Sequence, residues 1–335
     1  MTFHKLLATA VITAGLSISA MAVQAAESIQ DKTIGVIVMS MQSESLAEWT
    51  QQVTTAAAEL GWTTVIKDGE SNPAVVATKL PELLAQNVDA VITMAIDAPL
   101  LGSALADAKE RGVPVIATSV GVAPVSAEQF TAIYSVDDAQ LGAALAGWLK
   151  EKQPNSEAVG QTASVVYAAD QLVVGAREAL QGSSVTMDQT ADVDVTNLVQ
   201  SFTQTAIDLA QARPEATALI SCCDFAPLMV LPALQSIGRG DMKLLTRLDN
   251  ASSLQAMRSG APLVVATFRP YYNLAALDAL ASHWANGTDI PATMPELTGD
   301  ITVIDSETVP AEGRVYPFEA ELESYAARWA ETYSK

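Results

Sequence analysis

Short apolar runs alternate with helix-length segments along most of the chain, and this alternation constrains the fold more than any other feature. The first part of the chain carries the runs TIGVIVMS (33–40), TTVIKD (63–68), DAVITMA (89–95) and VPVIATS (113–119). Runs that are apolar throughout, rather than at alternate positions, are typical of parallel strands covered on both faces. The pattern therefore predicts an α/β fold built on parallel sheets.

A second series of such runs follows, and it predicts a second sheet. The run TAIYSV (131–136) closes the first series, and the second comprises ASVVYAA (163–169), SSVTMDQ (183–189), ATALISC (216–222), MKLLTRL (242–248) and PLVVATF (262–268). The polar stretch KEKQPNSEAVGQ (150–161) is expected to be a surface loop. We therefore expect two doubly wound parallel-sheet lobes, with a boundary near residues 134–137.

Residues 1–25 are expected to be a secretory signal peptide. Their sequence, MTFHKLLATAVITAGLSISAMAVQA, has a basic start, an apolar stretch and a small-residue cleavage site. The apolar stretch is shorter than the ~20 residues that span a bilayer. We expect export to the periplasm without membrane insertion. Whether the signal peptide is cleaved after Ala25 or after Ala26 is left open.

The charge balance and the missing motifs exclude several functional classes. The chain has 38 acidic and 18 basic residues, which disfavours nucleic acid and anionic membranes as partners. It has no phosphate-binding glycine motif and no G-x-S-x-G or H-E-x-x-H motif. After signal removal one histidine and two adjacent cysteines remain, too few for an ordinary zinc site. We therefore expect no cofactor, no metal and no enzymatic activity.

Polar and aromatic side chains follow the strands at their carboxyl ends, where ligands bind in open parallel sheets. A cleft with apolar walls and a few hydrogen-bonding groups suits a small polar solute. For the aspartates, helix capping is the alternative, and for Asp97 it is the stronger one. The candidate ligand-binding residues are Gln42, Ser43, Asp97, Ser119, Tyr167, Asp170, Cys223, Asp224, Asp249, Phe268 and Arg269.

The order and spacing of five segments carry a family resemblance. They are KTIGVIVMS, LAQNVDAVITMAIDAPLLGSALADAKERGVPVIATS, YSVDDAQLGAALAGWL, ALISCCDFAPLMVLPALQSIG and KLLTRLDNASSLQAMRSGAPLVVATFRP. From about Thr33 to Asp305 the chain resembles the periplasmic sugar-binding proteins of ABC importers, the type I fold of ribose-binding protein. The resemblance implies two lobes joined by a three-segment hinge, with a solute held between them. The lobes would comprise residues 27–134 plus 270–302 and residues 135–269 plus 303–335.

The resemblance also implies a place for the two cysteines. Cys223-Asp224 stands where the family usually has Asn-Asp, so Cys223 would face the cleft. Cys222 would point into the packing, because adjacent strand residues face opposite ways. We expect both thiols to be free, since a bond between neighbouring cysteines closes a strained ring.

Several positions depart from the family pattern and leave the ligand unidentified. Ser119-Val120 replaces Asp-Arg, Val173 falls near an arginine position, and Phe268 replaces a glutamine, while Asp249 keeps the family's residue type. The identity of the ligand thus stays open among a sugar, a polyol, an amine and a nucleoside. The aspartates favour a neutral or cationic ligand, and an anionic ligand would instead point to Arg269 or Arg247.

Two functions fit this reading of the sequence. The first is a monomeric solute-binding protein that delivers its ligand to the permease of an ABC transporter. The second is a ligand-sensing subunit for a chemoreceptor or histidine kinase.

Overall fold

The computed structural model describes residues 29–119, 121, 123, 128–164, 166–269, 271–294 and 301–333, without the side chain of residue 196. The expected signal peptide and Val120 lie outside these residues. Within them, no helix combines the length and the apolar character needed to cross a membrane.

The first sheet has five parallel strands in the order β2-β1-β3-β4-β5. Its strands are β1 (Thr33–Val38), β2 (Thr63–Asp68), β3 (Ala90–Met94), β4 (Val115–Ser119) and β5 (Ala132–Ser135). The helices between them are α1 (Glu44–Glu59), α2 (Pro73–Ala85), α3 (Ala98–Leu101) and α4 (Ala104–Glu110).

The second sheet has six strands in the order β11-β10-β9-β8-β6-β7, and only β11 runs antiparallel to its neighbour. The strands are β6 (Glu157–Thr162), β7 (Thr186–Asp192), β8 (Ala218–Ser221), β9 (Lys243–Arg247), β10 (Leu263–Phe268) and β11 (Ile301–Ile304). The helices are α5 (Asp138–Lys152), α6 (Tyr167–Leu180), α7 (Leu198–Ala212), α8 (Pro227–Ser236), α9 (Ala251–Arg258), α10 (Tyr272–Asn286) and α11 (Phe318–Tyr333).

Helices cover both faces of the sheets, which explains the fully apolar strand runs. In β1, Val36 and Ile37 are both completely buried but belong to different hydrophobic clusters. Adjacent residues of a strand point to opposite faces, so each face needs its own apolar residue. The predicted α/β class, with two doubly wound parallel-sheet lobes, is confirmed.

The predicted start of the second sheet is wrong. Strand β6 lies at Glu157–Thr162, inside the segment expected to be a loop, and residues 167–169 of the expected strand open helix α6. The misleading feature is composition: β6 reads EAVGQT, with three polar residues and a glycine. Gly160 fits there because a β-carbon would lie 2.5 Å from the Met187 side chain and 2.8 Å from that of Thr190. The central position of β6 between β8 and β7 makes it a strand despite its weak apolar pattern.

The chain passes between the two halves more often than the expected three-segment hinge requires. It crosses from β5 to α5 and from β10 to α10, since α5 packs on α6 and β10 while α10 packs on α1, β4 and β5. It returns to the second sheet as β11 and leaves again towards α11, which packs on α1 and α10. The lobe boundaries stay a prediction, and these contacts favour placing α11 with the first lobe.

Helices α5 and α6 pack so closely that glycine is required at their contact. A β-carbon at Gly142 would lie 1.9 Å from the carbonyl oxygen of Leu172. Gly147, on the same helix, has open space around its missing β-carbon.

We expect Gly142→Ala to lower the free energy of unfolding by about 1–3 kcal/mol, because backbone atoms must move to admit the methyl group. Gly147→Ala is the matched control and should be neutral or stabilising by about 0.5–1 kcal/mol, because alanine favours the helix. Urea denaturation of the two variants would measure both effects. Equal destabilisation by the two changes would contradict the proposed close packing.

Candidate functional site

The carboxyl ends of the two sheets face each other across a narrow cavity. We call it the interlobe cleft and define it by six of its lining residues: Glu48, Trp49, Asp249, Thr267, Tyr272 and Arg314. Its volume is about 20 Å³. A single water molecule needs about 10–15 Å³ on this measure, so a larger solute can enter only if the two halves separate.

Asp249 lies directly after β9 and is buried in the cleft. Its Oδ1 accepts a hydrogen bond of 2.6 Å from Thr267 Oγ1, whereas its buried Oδ2 has no partner among the described residues. Burial raises the pKa of Asp249, and the Thr267 hydrogen bond and Arg314 oppose that rise. Asn250 rather than Asp249 caps α9, by accepting from the Ser253 amide at 2.8 Å. The capping alternative therefore does not account for Asp249.

Asp224, after β8, is a second buried carboxylate at the same edge of the sheet. Burial raises its pKa, and a hydrogen bond from Ser45 of α1 is the largest opposing effect. Its Oδ2 also lacks a partner within the part of the chain that the structure describes. Helix α8 begins three residues later, and its N-cap residue is Ala226. Asp224 is thus held between the lobes rather than used as a cap.

A buried ion pair joins the second sheet to the first crossing of the chain. Arg247, the last residue of β9, pairs with Asp138 in the first turn of α5, and both are more than nine-tenths buried. Asp138 Oδ2 also accepts from the Gly121 amide at 3.3 Å. Burial lowers the pKa of Arg247 to about 10, which leaves it protonated at neutral pH. The pair therefore holds opposite charges together where the lobes meet.

Aromatic rings and a buried amide complete the walls of the site. The Tyr272 ring lies 5.7 Å from Trp49 and 5.6 Å from Phe268, centre to centre. Ser119 is fully buried, has a φ of 80°, and its Oγ lies 3.4 Å from Asn273 Oδ1. Asn273 Nδ2 is buried without a partner among the described residues. The structure thus brings Ser119 and Phe268 to the same region as the buried aspartates.

A second cavity, of about 250 Å³, contains Tyr167 in its lining. Ser135, Asp138 and Gln171 line it too, so the Asp138 end of the Arg247–Asp138 pair lies at its wall. Tyr167 is the first residue of α6 rather than the end of a strand, as a result of the shift at β6. Asp170, one turn on, accepts from Thr162 Oγ1 at 3.1 Å and lines neither cavity.

Four of the sequence-predicted residues have other contacts. Ser43 caps α1 by accepting from the Leu46 amide at 3.4 Å, and Gln42 beside it is exposed. Asp97 precedes α3 without capping it, and its Oδ1 accepts from the Ala123 amide at 3.1 Å. Arg269 pairs with Glu321 of α11 at 3.2 Å and is not among the residues that line the interlobe cleft.

The two cysteines are free thiols in the core of the second sheet. Cys222 is completely buried and Cys223 is 9% exposed, and both belong to the same apolar cluster. Cys223 therefore packs with Cys222 and lines neither cavity. A hydrogen bond with Cys222 and burial raise the pKa of the Cys223 thiol well above its usual range.

The sequence reasoning missed Glu48, Trp49, Tyr272 and Arg314. Trp49 and Glu48 lie within α1, whereas the sequence search considered only residues that follow the strands. Tyr272 follows Phe268 by four residues and could have been found by extending the search beyond the strand end into the next helix. Arg314 comes from an irregular segment, and no local pattern indicates where that segment lies.

Comparisons with known proteins agree with this geometry. A family model for the periplasmic binding protein domain matches residues 34–287. A xylitol-binding protein of Mycolicibacterium smegmatis is 24% identical over 294 residues, which cover 84% of this chain and 81% of that protein.

Solved structures give the same fold at low sequence identity. One from Mycobacterium smegmatis, in complex with β-D-fucofuranose, has a TM-score of 0.73 at 17% identity and covers 88% of this chain and 98% of its own. The binding component of an arabinose ABC transporter from Shewanella sp. ANA-3 has a TM-score of 0.71 at 17% identity. The match covers 90% of this chain and 97% of that protein's chain. A solute-binding protein from Agrobacterium vitis with bound allitol has a TM-score of 0.71 at 18% identity. The match covers 84% of this chain and 98% of that protein's chain.

Two doubly wound lobes with a polar cleft between their carboxyl ends define the type I periplasmic binding protein fold. Within that class, the family match covers most of the chain. The protein belongs to the periplasmic binding protein domain family.

We expect both thiols to react slowly with an aromatic disulfide reagent in the native protein at neutral pH. Burial excludes the reagent, and the raised pKa of Cys223 keeps the reactive thiolate scarce. Unfolding in denaturant without reductant should release two equivalents of thiol per chain. A titre of zero after unfolding would show a Cys222–Cys223 disulfide and contradict the free state.

Proposed function

We propose that the protein is an exported periplasmic solute-binding protein that captures a sugar or polyol between its lobes and delivers it to an ABC transporter permease. The observation that carries this proposal is the pair of buried carboxylates, Asp224 and Asp249, each with an oxygen that lacks a partner among the described residues. A buried acceptor without a donor is costly, and solute hydroxyls are the donors that would satisfy it.

The walls of the cleft suit the apolar faces of such a solute. Trp49, Phe268 and Tyr272 form a contiguous aromatic cluster beside Asp249. A sugar or polyol presents C–H groups as well as hydroxyls, and the rings offer them apolar contact area. Polar groups would fix the orientation of the solute, while the rings exclude water around it.

The charges of the cleft favour a neutral solute. Arg247 is paired with Asp138 and Arg314 with Glu48, so neither cation is left over to hold an anion. The relatives named above bind xylitol, allitol and furanose sugars, all of which are neutral. We therefore propose a neutral polyhydroxylated ligand.

Delivery to a permease is favoured over signalling because a structural relative is named as part of an ABC transporter. We propose that the mature protein acts as a monomer, in which the closed lobes present one surface to the permease. The crossings from β5 to α5 and from β10 to α10, and those on either side of β11, would then act as hinge segments.

Asp249→Asn tests the site directly. We expect the affinity for the best-bound sugar or polyol to fall by about 1.5–3 kcal/mol, because a charge-assisted hydrogen bond is lost. Isothermal titration calorimetry against a panel of pentoses, hexoses and polyols would identify the solute and measure the loss. Asp107→Asn, on the exposed face of α4, is the matched control and should leave the affinity unchanged.

The same substitution should raise thermal stability at neutral pH. The folded-state pKa of Asp249 lies above its unfolded value, so its ionisation costs stability as the pH rises through the folded pKa. The advantage of Asp249→Asn in melting temperature should therefore be present at pH 7 and shrink as the pH falls towards about 4. A lower melting temperature with unchanged affinity would mean that Asp249 has a purely structural role.

A further inference from the structure

The segment between β11 and α11, residues 305–317, is fastened to the second sheet's half along most of its length. Trp148 Nε1 of α5 donates to Asp305 Oδ2 at 2.8 Å. Arg258 of α9 donates to the carbonyl oxygens of Pro310 and Gly313 at 2.8 and 2.6 Å. These contacts fix the path of the segment up to residue 313.

The next residue reaches across to the first sheet's half. Arg314 Nη2 donates to Glu48 Oε2 of α1 at 2.5 Å, and the two side chains are 24% and 30% exposed. Beyond it, α11 is held on α10 by the 2.8 Å hydrogen bond from Trp329 Nε1 to Asp278 Oδ1. Arg314 therefore lies where the segment passes from one half to the other, at the wall of the interlobe cleft.

The charges lining the cleft are two carboxylates and one guanidinium, counted over the lining residues that the structure describes. Glu48 and Asp249 carry the carboxylates and Arg314 the cation. Arg314 lowers the pKa of both acids against the effect of burial. Without Arg314, the same small space would hold two carboxylates with no cation to offset them.

We propose that Arg314 is a specificity-determining residue of the cleft: by neutralising Glu48 it makes the cleft accept neutral polyhydroxylated solutes and reject their cationic amino analogues. This inference rests on the proposed function and identifies what sets the ligand's charge. A cationic solute would face Arg314 at short range, and like-charge contacts in a confined site are strongly unfavourable. Because the segment joins the two halves, the selecting charge would enter the site as the lobes close.

The test compares matched neutral and cationic probes. Dissociation constants are measured by calorimetry for D-glucose with D-glucosamine, D-galactose with D-galactosamine, and xylitol with its terminal amino analogue. The wild type should prefer the neutral member of whichever pair it binds. In Arg314→Gln the preference should move towards the amino member by about tenfold or more, since Glu48 is then free to pair with its ammonium group.

Three further variants separate this role from a structural one. Arg314→Lys keeps the charge and should keep the neutral preference. Glu48→Gln combined with Arg314→Gln removes both charges and should restore it. Arg328→Gln removes an arginine that pairs with Asp278 at 2.9 Å, outside the cleft, and should leave the preference unchanged. Melting temperatures of all variants show that each is folded.

The outcomes distinguish this inference from the proposed function. A wild type that binds none of the neutral probes refutes the proposed function and this inference with it. A wild type that binds a neutral probe, with the same preference in Arg314→Gln, refutes the inference alone. A shift of equal size in Arg328→Gln would also overturn it.

Discussion

Carboxylates buried between the ends of two parallel sheets are the constraint on which the rest of the structure depends. Parallel strands place their carboxyl ends at one edge, and here two such edges face each other. Asp224 and Asp249 are therefore withdrawn from water without full compensation, and burial raises the pKa of each. A protein keeps such costly groups where they serve a site, and Asp249 lines the interlobe cleft.

The other charges of the interface are arranged to make this burial tolerable. Arg247 and Asp138 neutralise each other beside the first crossing, and Glu48 is neutralised by Arg314 from the last one. Breaking a buried pair by removing one partner typically costs ~3–5 kcal/mol, so the buried Arg247–Asp138 pair helps to hold the first crossing in place. Asp224 and Asp249 are the carboxylates that we propose as acceptors for a solute.

The sequence predicted what depends on local pattern and missed what depends on distant contacts. The strands β1, β3 and β4 could be recognised in the sequence because both of their faces are buried and their runs are therefore apolar throughout. The search at the carboxyl ends of strands pointed to Asp224 and Asp249, which are buried. Strand β6 was missed because Gly160 and three polar residues interrupt its apolar pattern, and Tyr167 was misplaced with it. The place of Arg314 at the cleft could not be predicted from the sequence, because it is fixed by contacts with Arg258 and Glu48, which lie far away in the chain.

Solute capture, as proposed, requires a cleft that opens to admit a solute and closes to hold it. Its volume in the closed arrangement, about 20 Å³, is too small for a sugar to enter without movement of the lobes. Small-angle X-ray scattering of the mature protein, with and without a saturating sugar or polyol identified by calorimetry, measures this movement most directly. We expect a smaller radius of gyration with the solute bound. An unchanged radius at saturation would contradict capture by closure of the two lobes.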